Sequence, residues 1–262
     1  MDEEIKSIRL SVSKAKTYDQ CKRKFYYQYI LKLPTTSKDY NALGSMVHLV
    51  LENLFRKWID SGYKDDLKEL LKVSWKESLD TKEGEEAKRF NVMSRVKDHV
   101  LSYYNSFIER ENTVPIEVEC NFELKIRIGG EFIIELIGFI DRIDKKEDGT
   151  IVVLDYKTTN KVQYLDYLQL GVYVAACKHK VHKGSDFKYE AAYILLKHDN
   201  VMKQAKDIDT LYQKHLNKIV RIGIEIRNTM SDGHYPPSYS PLCNYCEFKQ
   251  RCDDDLKGRD SW

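Results

Sequence analysis

Long apolar runs are absent from this sequence. Nowhere does it contain the roughly eighteen consecutive apolar residues that a membrane-spanning helix needs. Residues 1–6 are mostly charged and lack an apolar stretch long enough to form the centre of a signal peptide. These absences argue against a membrane partner, and we expect an intracellular, cytoplasmic and soluble protein.

Glycine and proline are also scarce, with 12 and 5 occurrences in 262 residues. The sequence has no low-complexity run and no repeat at the periods of solenoid proteins, which excludes fibrous, disordered and repeat architectures. Because 42% of the residues are hydrophobic, the chain can bury a substantial core. We therefore predict a single domain over residues 1–262.

A strong charge of either sign is lacking too, since the formal net charge is only +2. Global charge therefore does not indicate a nucleic-acid partner, and only local patches can do so. One patch is formed by Lys22, Arg23 and Lys24, which follow each other in a predicted helix with Ser13 as its N-cap and Pro34 beyond its end. These three residues are candidate DNA contacts, and a solvated helix face is the alternative.

Two neighbouring segments carry the pattern that dominates the rest of the chain. Residues 137–144 and 151–157 are aliphatic and β-branched up to charged ends, as strands are. Residues 145–149 between them are polar and end in glycine, which indicates a turn. We predict a hairpin centred near Glu147.

Three charged side chains converge in this predicted hairpin. Asp155 and Lys157 are two residues apart and so project from the same face of their strand. With the turn centred near Glu147, Asp141 would lie opposite Val153 and diagonal to Asp155, at about 7–8 Å. The hairpin would thus bring two carboxylates and one ammonium group together.

Such a group of charges suits phosphodiester hydrolysis. Two carboxylates at the ends of apolar strands repel each other and are costly to desolvate, unless a divalent cation lies between them. Oxygen ligands select hard cations such as Mg²⁺ or Mn²⁺. Lys157 cannot bind a metal while charged, so its task would be to hold an attacking water or to stabilise charge on a phosphate. A solvated Asp-x-Lys at a strand end is the alternative.

Apolar periodicity predicts the remaining elements, including a helical insertion over about residues 60–112. Cys120 and Cys177 fall at core positions of these elements. His48 lies on the buried side of its helix, where a hydrogen-bonded core histidine is the usual case. Helices are predicted over residues 44–58, 65–80, 86–110, 164–178 and 207–230, and strands over residues 116–128 and 187–195.

The C-terminal segment, residues 231–262, contains a cluster of cysteines. Cys243, Cys246 and Cys252 follow a C-x2-C-x5-C spacing. In a reducing compartment such residues are free thiols or metal ligands rather than disulfides. Three thiolates cannot close a tetrahedral site, and Cys21 is the fourth candidate because the two other cysteines lie at core positions.

These segments together resemble the RecB-like branch of the PD-(D/E)XK nucleases. Residues 138–144 and 154–158 are similar to the two central motifs of that branch. Gly44-x-x-x-His48 resembles its first motif, and Gln169-x-x-x-Tyr173 resembles a downstream motif. One departure is Ile140, which stands where the superfamily's name has proline and concerns the strand more than the metal ligands.

The resemblance implies an α/β fold of the restriction-endonuclease type, in which a central mixed sheet is flanked by helices. It implies that His48 ligates a catalytic metal together with Asp141 and Asp155, and we add the backbone carbonyl of Tyr156 to this set. An imidazole among the ligands favours Mn²⁺ over Mg²⁺. The resemblance further implies that Gln169 lies near the metal-bound water or the scissile phosphate. Tyr173 would contact the substrate or shape the pocket.

The one-plus-three arrangement of cysteines is similar to that of the iron–sulfur nucleases in this branch, which include the helicase-associated AddB type and the small standalone CRISPR-associated exonucleases. By that resemblance, Cys21, Cys243, Cys246 and Cys252 hold a 4Fe–4S cluster, with zinc as the alternative occupant. The cluster would link the N-terminal helix to the tail and close a loop of roughly two hundred residues, so a structural role is expected.

The function expected from these observations is metal-dependent hydrolysis of DNA. The resemblance favours an exonuclease that acts on single-stranded DNA or DNA ends in recombination, repair or CRISPR adaptation. Expected partners are DNA, a second copy of the chain, or recombination or CRISPR proteins. The alternative is a catalytically inactive subunit with the same fold that binds nucleic acid or assembles a complex. The intact acids and lysine argue against that alternative, because clustered charges are costly without an ion.

Overall fold

The fold is a mixed α/β architecture with a central mixed sheet and flanking helices. The computed structural model describes residues 6–110, 113–130, 132–159, 162–184 and 186–257. The strands are β1 (Ser7–Leu10), β2 (Thr113–Ile128), β3 (Phe132–Lys146), β4 (Ile151–Lys157), β5 (Tyr189–Leu195) and β6 (Val201–Gln204). The helices are α1 (Val12–Gln20), α2 (Lys22–Phe25), α3 (Asp39–Asp60), α4 (Leu67–Ser78), α5 (Lys82–Arg89), α6 (Met93–Arg110), α7 (Leu168–Ala176), α8 (Ile208–Asp232) and α9 (Lys249–Lys257).

The sheet contains both parallel and antiparallel pairs. Its hydrogen-bonded order is β1-β3-β4-β5-β6, and β2 pairs with β3. The pairs β1–β3 and β4–β5 are parallel, whereas β3–β4 and β5–β6 are antiparallel. The predicted hairpin is therefore present as β3 and β4, near the middle of the strand order.

The predicted register of this hairpin was wrong by two residues. Val153 pairs with Ile143 rather than with Asp141. The reason is the turn, in which the Lys146 N–H donates to the Thr150 carbonyl at 2.9 Å and Gly149 adopts a φ of +85°. This three-residue loop moves the centre from Glu147 to the next residue. A shift by an even number of residues leaves every side chain on its predicted face.

The chain divides into two compact units, and β2, β3 and α8 each contribute to both. The first unit comprises Met1–Thr36, Glu123–Ile137 and Asn217–Trp262, and the second comprises Ser37–Phe122 and Gly138–Leu216. The core of the second unit is built around α3, with side chains from α4, α5, α6, β4 and β5 packed against it. The helices α4, α5 and α6 lie within the predicted insertion, which stays a prediction, as does the single-domain organisation.

Several predicted boundaries were wrong for local reasons. The N-terminal helix begins after Ser11, whose Oγ accepts the Lys14 N–H at 3.2 Å, and not after Ser13. That helix also breaks at Cys21, where φ is −163° and ψ is 114°. The helix predicted from residue 164 begins at Leu168. Strand β6 was not predicted, because it is short and mostly exposed.

No helix within the part of the chain that the structure describes is long and apolar enough to cross a membrane.

Candidate active site

A cavity of about 550 Å³ opens in the second unit, where β4 ends. Residues of the N-terminal half of α3, the interior of β3, the end of β4, the segment after β4 and the start of α7 surround it. The lining residues are Tyr40, Asn41, Gly44, Ser45, His48, Asp141, Asp155, Tyr156, Lys157, Thr158, Thr159 and Gln169. All four motifs that the sequence singled out therefore contribute at least one residue to this cavity.

Asp141 is fixed by the backbone of the neighbouring strand. Its Oδ2 accepts the Tyr156 N–H at 2.8 Å. Because Arg142 pairs with Leu154, continuing the register by one residue brings Asp141 opposite Asp155. Both carboxylates are largely shielded from solvent, with exposures of 9% for Asp141 and 1% for Asp155. The two acids are thus adjacent and poorly solvated, which requires nearby positive charge.

His48 projects from α3 toward the same carboxylate. Its Nδ1 lies 3.3 Å from Asp141 Oδ2, and its Nε2 lies 3.1 Å from the Tyr156 carbonyl oxygen. Burial lowers the pKa of His48, but the charge and hydrogen bond of Asp141 outweigh this effect and raise it to about 9. Each ring nitrogen therefore lies next to an oxygen atom, and the two atoms of each pair could bind the same cation.

The pKa values of the two aspartates move in opposite directions. Burial raises the pKa of Asp141, but the charge of His48 and its hydrogen bond outweigh burial and lower it overall. Burial and then the negative charge of Asp141 raise the pKa of Asp155, although Lys157 opposes this. Opposed shifts of neighbouring acids are typical of active sites.

Lys157 connects Asp155 to α7. Its Nζ lies 2.5 Å from Asp155 Oδ2 and donates to Gln169 Oε1 at 3.0 Å. The Gln169 Nε2 in turn donates to the Tyr173 hydroxyl at 2.7 Å. Lys157 Nζ also lies 5.1 Å from the centroid of the Tyr193 ring, within the range of a cation–π contact. The lysine is thus held from three sides, at the edge of the cavity.

The surroundings of Gly138 explain why this position of the motif in residues 138–144 is a glycine. A Cβ atom there would lie 2.8 Å from Cζ of Phe122, which is closer than side chains can pack. The Phe122 ring packs edge-on against Tyr173, with 5.9 Å between centroids. The absence of a side chain at Gly138 therefore lets Phe122 support the tyrosine at the end of the Lys157–Gln169–Tyr173 chain.

Glu119 is a site residue that the sequence analysis missed. It lies on β2, and one carboxylate oxygen belongs to a group with His48 and Asp141 in which all three ligand atoms lie within 4.8 Å of one another. Its φ is +44°, in the left-handed region that residues other than glycine rarely adopt. Burial and the charge of Asp141 raise the pKa of Glu119 to about 7. The only signal in the sequence was an acid within an otherwise regular strand.

A buried network supports Tyr156 from the side of the core. Arg142 Nη1 donates to the hydroxyls of Tyr156 at 3.0 Å and Tyr103 at 2.6 Å. Arg142 Nη2 and Nε also lie 2.9 Å and 2.8 Å from the two oxygens of Asp144, and both residues are fully buried. This bidentate ion pair holds the residue whose backbone contacts both Asp141 and His48.

The four predicted cluster cysteines lie together in the first unit. Cavities of about 180 Å³ and 170 Å³ are both lined by Cys21, Cys243 and Cys246, and the second also by Cys252. The break between α1 and α2 frees Cys21 Sγ to accept the N–H groups of Lys24 and Ser238, each at 3.4 Å. Cys177 is buried and Cys120 half-buried elsewhere.

The predicted basic patch has a different environment from the one the sequence suggested. Arg23 is buried, its Nε donates to the Tyr235 carbonyl at 2.8 Å, and its Nη1 lies 3.9 Å from Asp255. Lys22 Nζ lies 5.2 Å from the centroid of the Tyr18 ring. Arg23 therefore holds the tail segment within this unit, while Lys22 and Lys24 remain partly exposed.

Two acids and a lysine on adjoining strands, with a helix histidine beside them, define a site of the nuclease type. The chain matches the family described as the PD-(D/E)XK nuclease superfamily over residues 9–253. This protein therefore belongs to the PD-(D/E)XK nuclease superfamily.

Relatives of known name are much longer than this chain. It is 27% identical over 249 residues to an ATP-dependent helicase/deoxyribonuclease subunit of Thermoanaerobacter sp. (strain X514), a match that covers 82% of this chain and 22% of the relative. The protein of the same name from Clostridium botulinum (strain Hall) is 25% identical over 240 residues, covering 78% of this chain and 21% of the relative. The chain thus spans about a fifth of the length of these relatives.

A solved structure from Eubacterium rectale, of a protein provisionally called an exonuclease, is also similar. The match covers 95% of this chain and 88% of that one, with a TM-score of 0.42 and 14% sequence identity.

Proposed function

We propose that this protein is a metal-dependent deoxyribonuclease that hydrolyses phosphodiester bonds in single-stranded DNA or at DNA ends. The convergence of Asp141, Asp155, Lys157 and His48 on one cavity is the observation that carries the proposal. The names of the curated relatives support DNA as the substrate and recombination or repair as the setting. CRISPR adaptation is the alternative setting, and the one-plus-three cysteine pattern supports it.

The donor set fits a divalent cation. Asp141, Asp155 and the Tyr156 carbonyl offer oxygen atoms, which suit Mg²⁺ and Mn²⁺, and His48 adds a nitrogen that favours Mn²⁺. The two shielded carboxylates face Lys157 and a protonated His48, and a bound cation would take the place of the His48 proton in balancing Asp141. When bound, such a cation supplies Lewis-acid chemistry, by acidifying a water and neutralising charge that develops on a phosphate.

The chain's own groups would orient the reactants. Lys157 can donate from Nζ to the attacking water or to a non-bridging phosphate oxygen, because its fixed contacts point the ammonium group into the cavity. Gln169 would hold that ammonium through its Oε1, and Tyr173 would fix the amide of Gln169. The Tyr156 N–H keeps Asp141 in place during the reaction. Each group is held before substrate binds, which lowers the cost of ordering the site.

Purified protein should degrade linear single-stranded DNA when Mn²⁺ or Mg²⁺ is added and should stop when EDTA removes the metal. Asp155→Ala should abolish cleavage, because it removes a carboxylate from the proposed ligand set. Circular and end-blocked DNA, compared with linear DNA, would separate exonuclease from endonuclease action. Absence of cleavage on single- and double-stranded DNA with either metal would contradict the proposal and favour a catalytically inactive subunit.

We propose that the four cysteines hold an iron–sulfur cluster, with zinc as the alternative occupant. A zinc ion with sulfurs at about 2.3 Å would bring the four sulfur atoms to within about 3.8 Å of one another. Among the described residues, no three cysteine sulfurs lie within 4.8 Å of one another. The N–H groups that point at Cys21 Sγ are also of the kind that stabilises cluster sulfurs. The cluster would tie the N-terminal helices to the tail.

We expect the proposed cluster to give the purified protein a brown colour. Substitution Cys246→Ser should remove this colour and most of the bound iron, and it should lower the thermal unfolding midpoint. The reason is that a link between Cys21 and the tail closes a loop of about two hundred residues, which in a chain-entropy estimate is worth about 5 kcal/mol. Cys120→Ser, at a cysteine outside the group, is the matched control and should keep its iron. Elemental analysis that finds zinc instead of iron would contradict the assignment.

A further inference from the structure

A groove between α4 and α6 lies outside the active site described above. Both helices belong to the second unit and pack on α3. The groove has a volume of about 410 Å³, which is within the usual range of about 300–1,000 Å³ for ligand cavities. Its apolar lining consists of Leu71, Trp75, Val100, Leu101 and Tyr104. The predicted helical insertion thus carries a concave apolar surface that the proposed cleavage reaction does not use.

The apolar lining is partly open to solvent. Leu71 and Val100 are buried, whereas Leu101 is 41% exposed. Trp75 and Tyr104 are half-buried and pack against the core around α3. Covering exposed apolar surface in a concave site releases water and is favourable, so such a surface suits a partner that inserts apolar side chains.

The polar part of the lining is positively charged. It includes Lys68, Lys72 and Lys97, and no carboxylate lines the groove as the structure describes it. Lys72 is paired with Glu69 at 2.6 Å, but no carboxylate in the described part of the chain lies within ion-pair distance of Lys68 or Lys97. Complementary charge favours the correct partner and speeds its association. A fitting partner therefore carries acidic residues beside its apolar ones.

Nucleic acid is also negatively charged, but it suits this groove less well. Unpaired bases bind by stacking on exposed aromatic rings. The most exposed apolar side chain of the lining is the aliphatic Leu101, and the two aromatic residues, Trp75 and Tyr104, pack against the core. The lining therefore favours a protein segment over a DNA strand.

We infer that the groove between α4 and α6 is a docking site for a segment of a partner protein that carries acidic and apolar residues. An amphipathic helix that lays its apolar face into the groove has this chemistry. The inference goes beyond the proposed nuclease activity and does not depend on it.

The position of the groove would bring the partner close to the active site. Arg95 Nη1, at the start of α6, lies 3.3 Å from Asp39 Oδ2, and the next residue, Tyr40, lines the active-site cavity. Because a helix rises about 1.5 Å per residue, Leu101 lies about 9 Å further along α6 than Arg95. A partner in the groove would thus be held beside the cavity without filling it.

Selection from a library of displayed random peptides, with the full chain as the target, tests the inference. The enriched peptides should combine acidic with apolar residues, and their binding should weaken as salt is added. Leu101→Asp should weaken binding of a labelled enriched peptide by about tenfold or more, because it places a negative charge in the apolar lining. Lys97→Glu should weaken it as well, because it reverses a charge beside the acidic residues of the peptide. Fluorescence anisotropy measures both effects.

Val73→Asp and Lys76→Glu are the matched controls. Val73 is a similarly exposed aliphatic residue of α4, at 45%, and Lys76 is an exposed lysine of the same helix, but neither lines the groove. Both controls should bind the peptide as wild type does, and circular dichroism should show the wild-type fold in all four variants.

Three results would overturn the inference. The first is enrichment of peptides without acidic residues, or of none at all. The second is equal affinity of the peptide for wild type and for folded Leu101→Asp and Lys97→Glu. The third is displacement of the peptide by another occupant, either an oligonucleotide of thymidines or a second copy of the chain, detected by competition and by sedimentation.

Discussion

Lys157→Ala should reduce the rate of phosphodiester cleavage by about 10²–10³-fold, the usual effect of removing one fixed donor to developing charge. The ammonium is held by Asp155 Oδ2 at 2.5 Å and by Gln169 Oε1 at 3.0 Å. No other lysine or arginine lines the cavity as the structure describes it. No second lysine or arginine is therefore placed in the described cavity to take over the role of Lys157.

Single-turnover cleavage of end-labelled single-stranded DNA at saturating Mn²⁺ measures this effect on the chemical step. Lys157→Arg should also be impaired, because the planar guanidinium cannot keep both contacts in a space that fits a compact ammonium. Lys178→Ala is the control: Lys178 is likewise paired with an aspartate, Asp209, and lies over the Tyr212 ring, but it does not line the cavity. A Lys157→Ala enzyme as fast as this control would remove the lysine from the mechanism.

Successive side chains along a strand point to opposite faces of the sheet. This alternation explains why the faces of the central hairpin could be predicted although its register could not. The face of Asp155 and Lys157 follows from their spacing alone, and a register error of two residues does not alter it. The position of the turn depended on whether Gly149 or an earlier residue took the left-handed conformation, and a run of five polar residues does not determine that.

Glu119 could not be found by periodicity. The alternation along β2 assigns every second residue to one face and so places Glu119 among exposed polar residues. In the structure its φ of +44° departs from strand geometry at that one position, and the carboxylate lies with His48 and Asp141. Local strain of this kind is held by tertiary packing, so a propensity scale contains no information about it.

The interruption of the N-terminal helix at Cys21 could not be predicted from periodicity either. Tyr18, Phe25 and Tyr29 recur at helical spacing, and this predicts one continuous helix through Cys21. The structure keeps that spacing, but it interrupts the helix at Cys21, which becomes the cap of α2 by accepting the Lys24 N–H. The apolar stripe predicted which residues pack inward. At the break, Cys21 Sγ accepts the Ser238 N–H and the Arg23 N–H donates to the Pro236 carbonyl, and such contacts with residues far along the chain leave no local signal in the sequence.

Arg142→Met should lower the free energy of unfolding by about 3–5 kcal/mol, a large part of a typical total of 5–15 kcal/mol. Arg142 is fully buried, and its guanidinium lies 4.7 Å from the Phe55 ring centroid. Its partner Asp144 is also fully buried and accepts a further hydrogen bond from Thr113 Oγ1 at 2.6 Å. Removing the arginine would take away the guanidinium that neutralises the carboxylate of Asp144 in a desolvated site.

A double-mutant cycle, measured by urea unfolding, can separate the stability lost with the Arg142–Asp144 ion pair from the stability lost with the packing of the arginine side chain. The variant with both Arg142→Met and Asp144→Val should be clearly more stable than Arg142→Met alone, because replacing a whole buried ion pair by apolar groups is often nearly neutral. Additive losses would mean that packing around the guanidinium, and not the ion pair, supplies the stability. The double variant should still bind Mn²⁺ more weakly than wild type, since Tyr156 would lose the contact that fixes it behind Asp141 and His48.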